Sequence, residues 1–254
     1  MWLRAGDLFD EKTNDQLAQA DGTLSTLFSG KDFGEDILGA LEPQLQLVAS
    51  RQSFSEDRPT PAIQLPAFAL KATMKDPATT AQDMRRIFQS LVGFANVVGA
   101  QNGQPQLEFD FQDLADGKLV AAYFVPEFGQ ERNRQAVINY NFAPTLATSS
   151  DNLVLATSPT LAKQLVETAA ATGDGEVVVN TSIELAAREI ALALSDNQEH
   201  LIAQNMLKEG HSREEAELQV KTLLGILELM QSLNAELTTT SDALSLSIRL
   251  TLSP

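Results

Sequence analysis

Leu107-Glu108-Phe109-Asp110-Phe111-Gln112-Asp113-Leu114-Ala115-Asp116-Gly117-Lys118-Leu119-Val120-Ala121-Ala122-Tyr123-Phe124-Val125 is the stretch on which the fold class turns. Leu107, Phe109 and Phe111 alternate with Glu108, Asp110 and Gln112, the period of two that places successive side chains on opposite faces of a strand. Asp116-Gly117 is a tight-turn dipeptide. The chain then returns through Leu119–Val125. The stretch therefore reads as a β-hairpin, with adjacent antiparallel strands.

Working outward, the same grammar recurs. On the N-terminal side, residues 79–101 carry Met84, Phe88, Leu91, Ala95 and Val98 at spacings of three and four, one face of a helix. Thr79 and Gln82 match a capping box at its start, and Asn102-Gly103 supplies its stop. Before it, Leu45, Leu47 and Ala49 alternate with Gln44, Gln46 and Val48, the two-residue repeat of a half-buried strand. Ile63–Met74 reads as a second strand, whose Pro66 points to an edge or a bulge. Two short helices are expected earlier, over Asp15–Leu27 and Asp32–Leu41.

On the C-terminal side, Val137–Leu146 and Leu153–Ser158 form another hairpin, joined through Ser149–Asn152. Ser158-Pro159 opens a helix to about Ala170. Gly173-Asp174-Gly175 is a turn, and Glu176–Val179 a short strand. Ser182 is expected to cap a long helix to about Glu209, kinked at Ser195-Asp196-Asn197. Ser212 and Glu215 form a capping box for a further helix lined by Ala216, Val220, Leu223, Leu227 and Met230. A last hairpin spans Ala235–Thr240 and Ala243–Leu252. In it Leu244, Leu246, Ile248, Leu250 and Leu252 define one face expected to be buried.

Hairpins outnumber strand–helix–strand crossovers, so the expected fold is α+β: mainly antiparallel sheet with amphipathic helices packed on it. The element order suggests two related ββαββ units, with helices inserted in the second. The chain is read as one α+β domain over residues 1–254, or a fragment of a larger chain, with sub-units over 30–130 and 135–254.

Composition narrows the chemistry. The 254 residues contain no cysteine, which excludes disulfides, thiolate metal sites and cysteine nucleophiles. A cysteine-free chain suits the cytosol and the periplasm alike. Eighteen basic against 34 acidic side chains give a net charge of −16. Binding to a phosphate backbone rests on lysine and arginine, so nucleic acid is an unfavourable partner. The longest mostly apolar stretch, Leu91–Ala100, is about half of the ~20 residues a membrane-spanning helix needs. Met1-Trp2-Leu3-Arg4 runs at once into Gly6-Asp7 and Asp10-Glu11, so no signal peptide is read there.

Catalytic and cofactor motifs carry characteristic spacings. His200 and His211 lie eleven residues apart, unlike a helical metal pair. Gly30-Lys31 resembles the end of a phosphate loop, but Ser25 and Asp32 stand where glycine and a hydroxyl residue belong. Glu108, Asp110, Asp113 and Asp116 crowd the central hairpin. They read as the solvated face of an amphipathic strand before a cation site or acid–base pair. Asp174 and Glu176 read as turn residues. Asn180-Thr181-Ser182 is a sequon taken as a helix cap. Phe88, Phe109, Phe111, Tyr140 and Phe142 read as core. No catalytic, cofactor-binding or metal-ligating residue is assigned, and no cofactor is expected.

Gly30-Lys31-Asp32-Phe33-Gly34-Glu35-Asp36-Ile37-Leu38 running into Leu45–Val48, and Phe142-Ala143-Pro144-Thr145-Leu146-Ala147 running into Asn152–Ser158 and Leu161, carry a resemblance. Together these stretches resemble a bacterial family known only as domain of unknown function 3352. The resemblance implies an extracytoplasmic region, periplasmic or held at a membrane through an N-terminal segment not present in this sequence. It brings no catalytic residues. The function expected is a non-enzymatic binding module for a partner protein or envelope component. The alternatives are a carrier of an apolar small molecule and a hydrolase with a carboxylate site.

Overall fold

The computed structural model describes residues 28, 30–168, 180–239 and 244–253. The expected helix over Asp15–Leu27, the turn at Gly173–Gly175 and the strand Glu176–Val179 lie outside them.

Six strands form one antiparallel sheet: β1 (Leu41–Ser50), β2 (Ala67–Met74), β3 (Leu107–Leu114), β4 (Gly117–Phe124), β5 (Thr145–Ser149) and β6 (Asn152–Ala156). Their spatial order is β1-β2-β6-β5-β4-β3. The hairpin β5–β6 thus slots between β2 and β4 and becomes the centre of the sheet. A boundary drawn between residues 130 and 135 falls between β4 and β5, which are hydrogen-bonded neighbours. Three further strands, β7 (Asn180–Ala186), β8 (Met230–Thr239) and β9 (Leu244–Leu252), form a second antiparallel sheet in that order. The α+β class and the antiparallel pairing are as expected from the hairpin grammar.

Both faces of the six-stranded sheet are packed at its centre. On one face lies α1 (Pro77–Gln101), whose Met84, Ile87, Phe88 and Val92 meet Ala72, Met74, Val120, Ala122, Leu146 and Leu153. On the other lies the short α2 (Pro159–Val166), whose Leu161, Ala162 and Val166 meet Ala67, Ala69, Leu119, Ala121, Ala147 and Val154. The run Leu119-Val120-Ala121-Ala122 is buried throughout because its residues feed the two layers alternately. Three more helices, α3 (Ala187–Asp196), α4 (Gln198–Glu209) and α5 (Arg213–Glu228), connect β7 to β8. Ile202, Ala216 and Val220 form their small core.

Local signals met tertiary competition at several points. Helix α1 begins at Pro77 with Asp76 preceding it, and Asp76 makes no side-chain cap. Proline at the first helical position sets the start two residues before the expected Thr79 box. Strand β2 begins at Ala67, directly after Pro66, and is an interior strand between β1 and β6. The proline, which cannot donate to a ladder, stands outside the strand. Residues 180–186, expected as a cap and first helical turn, are strand β7; Ser182 pairs with Glu236. The alternation of Ile183 and Leu185 and the partner strand β8 prevail over the capping signal. The break at Asn197 and the capping box of Ser212 and Glu215 occur where expected. Segment Val137–Leu146 is strand only from Thr145, after a 3-10 turn at Ile138–Asn141.

Candidate docking surfaces

The apolar alternation of β1 yields a strand, but not a buried one. β1 is an edge of the large sheet, and Leu47 is 76% exposed. Leu47 faces Leu70 of β2, which faces Leu155 of β6. Leu45 and Phe68 lie two residues along their strands on the same side, which is the side of α1. All five are exposed. Helix α1 covers β4 and β5 through Val120, Ala122 and Leu146, and one end of β2 and β6 through Ala72, Met74 and Leu153, whereas Leu45, Leu47, Phe68, Leu70 and Leu155 towards the other end stay exposed. The result is a contiguous apolar patch over three strands, with Phe94, Val97 and Val98 of α1 also exposed. Contiguous apolar patches on soluble domains are where partners bind.

The three-stranded sheet shows the same feature more plainly. Cross-strand rows Thr181–Leu237–Leu246, Ile183–Ala235–Ile248 and Leu185–Leu233–Leu250 share one face. β9 was expected to bury that face, yet Leu246, Ile248, Leu250 and Leu252 are all exposed, Ile248 by 65%. Helices α3 and α5 contact the central strand β8, whose Leu233, Ala235 and Leu237 are half-buried, while the β9 side chains stay exposed. The opposite face of the sheet carries Ser182, Glu184, Asn234, Glu236, Ser247 and Arg249.

The acids of the central hairpin are dispersed. Glu108, Asp113 and Asp116 are exposed, and Asp110 is half-buried. Asp113 pairs with Lys118 at 3.3 Å across the hairpin, and Asp116 accepts from the Ser150 hydroxyl at 2.5 Å. Among the described residues no group of three His, Asp or Glu side chains could hold a metal ion. His211 Nδ1 lies 2.8 Å from Asn205 Oδ1, tying the turn before α5 to α4, whereas His200 is exposed. Asn180 and Ser182 sit in β7, and Lys31 pairs with Asp83 of α1 at 2.7 Å. Asp174 and Glu176 lie outside the described residues. Phe88 is core, but Phe109 and Phe111 are exposed on the edge strand β3, their rings 5.7 Å apart; Tyr140 and Phe142 are half-buried. The alternation of Phe109 and Phe111 is legible in the sequence, but not that they stand on an edge strand, where α1 packs on Leu107 and leaves both rings exposed.

A groove of about 320 Å³ runs between α4 and α5, lined by Leu201, Gln204, Asn205, Lys208, Gln219 and Val220. It is open to solvent and polar-rimmed, and it does not lie between helix and sheet. The described residues contain no helix long and apolar enough to cross a membrane.

Two asparagines and an ion pair lock the long connection between β1 and β2 against the rest. Asn141 Oδ1 accepts from the Leu65 N–H at 2.7 Å, and its Nδ2 donates to the Ile63 and Ile138 carbonyls at 2.9 Å each. Asn197, between α3 and α4, accepts from the Gln64 N–H at 2.8 Å and donates to the Gln64 carbonyl at 2.7 Å. Arg51 grips Asp196 with two nitrogens at 2.5 and 2.8 Å. The segment that follows the open edge strand is therefore held, and so is the patch beside it.

Lys71 is the feature the sequence did not flag. It is buried in β2 on the α2 side, and its Nζ donates to the Leu165 carbonyl at 3.0 Å and the Thr168 carbonyl at 2.6 Å. These carbonyls lie in the last turn of α2 and just beyond its end, where a cation is favourable. Burial pushes the Lys71 ammonium below the ordinary lysine range, with Asp151 opposing. Replacing Lys71 with methionine keeps the stem but removes the shorter hydrogen bond at each carbonyl, leaving the Thr168 N–H at 3.3 Å from the Leu165 oxygen and Asn152 Nδ2 at 3.4 Å from the Thr168 oxygen, and costs about 1–2 kcal/mol by chemical denaturation. In the alkaline window below the ordinary lysine pKa the folded chain has released this proton and the unfolded chain has not. Raising the pH there favours the folded state, so the gap between the native chain and K71M widens. A gap that narrows with rising pH contradicts the assignment.

Comparison of the chain with protein-family models, curated proteins and solved structures finds no match.

Proposed function

We propose that the chain is a non-enzymatic interaction module that acts outside the cytoplasm and docks a partner protein or envelope component on the β1–β2–β6 patch. The observation that carries this reading is the row Leu47–Leu70–Leu155, three large apolar side chains adjacent across three strands and all left open to solvent. Fully burying such a side chain from water stabilises by about 1.5–3 kcal/mol; these three are 39–76% exposed, so covering each supplies roughly half of that as binding energy. The sequence resemblance to an extracytoplasmic family supports the location. The net charge of −16 argues for a protein or neutral partner over nucleic acid or an anionic membrane surface.

The test compares capture from bacterial envelope extract by the native chain and by the double variant L47E/L155E. Both sites are exposed on the sheet surface, so the fold should survive, as circular dichroism will verify. The native chain is expected to retain a defined partner that the variant loses at least tenfold. Equal retention by both removes the patch from the function.

A further inference from the structure

We propose that the apolar face of the β7–β8–β9 sheet is a self-association surface on which a second copy of this chain packs face to face. Three observations select that occupant. First, the face is uncharged: its three cross-strand rows contain only leucine, isoleucine, alanine and threonine, although the chain carries a net charge of −16. Two copies of so acidic a protein repel in most orientations. Apposing this face brings no carboxylate of either sheet against another, because Glu184 and Glu236 lie on the far side.

Second, a twisted antiparallel sheet face is complementary to another of the same twist, and two such sheets stack about 10 Å apart with their strands about 30° from parallel. Identical copies meet this condition by a two-fold axis, the commonest symmetry of soluble dimers.

Third, the area is sufficient for a weak dimer. A sheet three strands wide and about nine residues long covers roughly 400 Å² in projection. Two faces in contact then bury close to 1,000 Å² once side-chain relief is included, the low end of specific interfaces. The association is accordingly expected to be micromolar and concentration-dependent. The surface lies on a different sheet from the β1–β2–β6 patch, so neither proposal depends on the other.

The experiment is sedimentation equilibrium of the whole chain from 1 to 200 μM. The native chain is expected to pass from monomer to dimer, and I248K to weaken dimerisation at least tenfold. S247K, one residue away on the opposite face, is expected to dimerise like the native chain. Because the sequence contains no cysteine, A235C supplies a readout that does not rely on a disruptive substitution. Ala235 is the middle residue of the central row and falls near the two-fold axis, so A235C forms a disulfide-linked dimer under mild oxidation, and S247C does not. A native chain that stays monomeric at 200 μM overturns the proposal. So does a dimer that S247K disrupts and I248K leaves intact, or one that A235C fails to cross-link.

Discussion

Substituting Asn141 by alanine is expected to lower the stability of the protein by about 3 kcal/mol, one of the two largest single-residue effects that the structure implies. The side chain is 2% exposed. Its three hydrogen bonds satisfy the Leu65 N–H and the Ile63 and Ile138 carbonyls, while the Asn141 backbone carbonyl accepts from Gln52 Nε2 at 3.1 Å. Alanine removes every side-chain partner and leaves a small polar void. Each backbone group so orphaned costs about 1 kcal/mol or more when buried. The loss should appear as a lower denaturation midpoint with an unchanged slope, and as faster hydrogen exchange at the Leu65 amide. A loss below 1 kcal/mol would mean that water replaces the side chain without penalty.

Gly117→Ala is expected to cost about 3 kcal/mol or more. The reason is contact, not conformational freedom. Gly117 opens β4, and a Cβ there would lie 1.8 Å from the Thr148 carbonyl oxygen and 2.7 Å from its carbon. Both are backbone atoms of the neighbouring strand β5, so the ladder itself must move. Gly93, in the middle of α1, has nothing within 4 Å of the same position. Gly93→Ala is thus expected to be stabilising by about 0.5–1 kcal/mol, and its comparison with G117A separates crowding from backbone entropy. If G117A folds as stably as the native chain, β4 and β5 are not packed as described.

The Asp116-Gly117 pair illustrates what could be read and what could not. The dipeptide marked the turn correctly, but the turn residues are Ala115 and Asp116, and the glycine serves the approach of a strand from elsewhere in the chain. That strand belongs to the hairpin β5–β6, whose place between β2 and β4 leaves no trace in local periodicity. The alternation in β1 and β9 specifies the period of a strand and nothing of its surroundings. A pattern of leucines at every second residue says that a face is apolar; whether a layer lies on it is decided by distant chain, as Leu47 and Ile248 show. Capping boxes fared according to competition. Ser212–Glu215 stood alone and formed, whereas Thr79 was pre-empted by Pro77, and Ser182 by pairing with β8. Lys71 could not be foreseen, since its partners are carbonyls at the end of a helix nearly a hundred residues on.

Photo-cross-linking is the most direct test of the idea that exposed apolar sheet, and not a reactive cluster, is how this protein works. A photoreactive residue placed at Leu47, on the open face, and separately at Gln46, on the opposite side of the same strand, would be irradiated in envelope extract. A defined adduct from position 47 and none from position 46 is the expected result. Equal labelling from both positions, or no adduct from either, would contradict it.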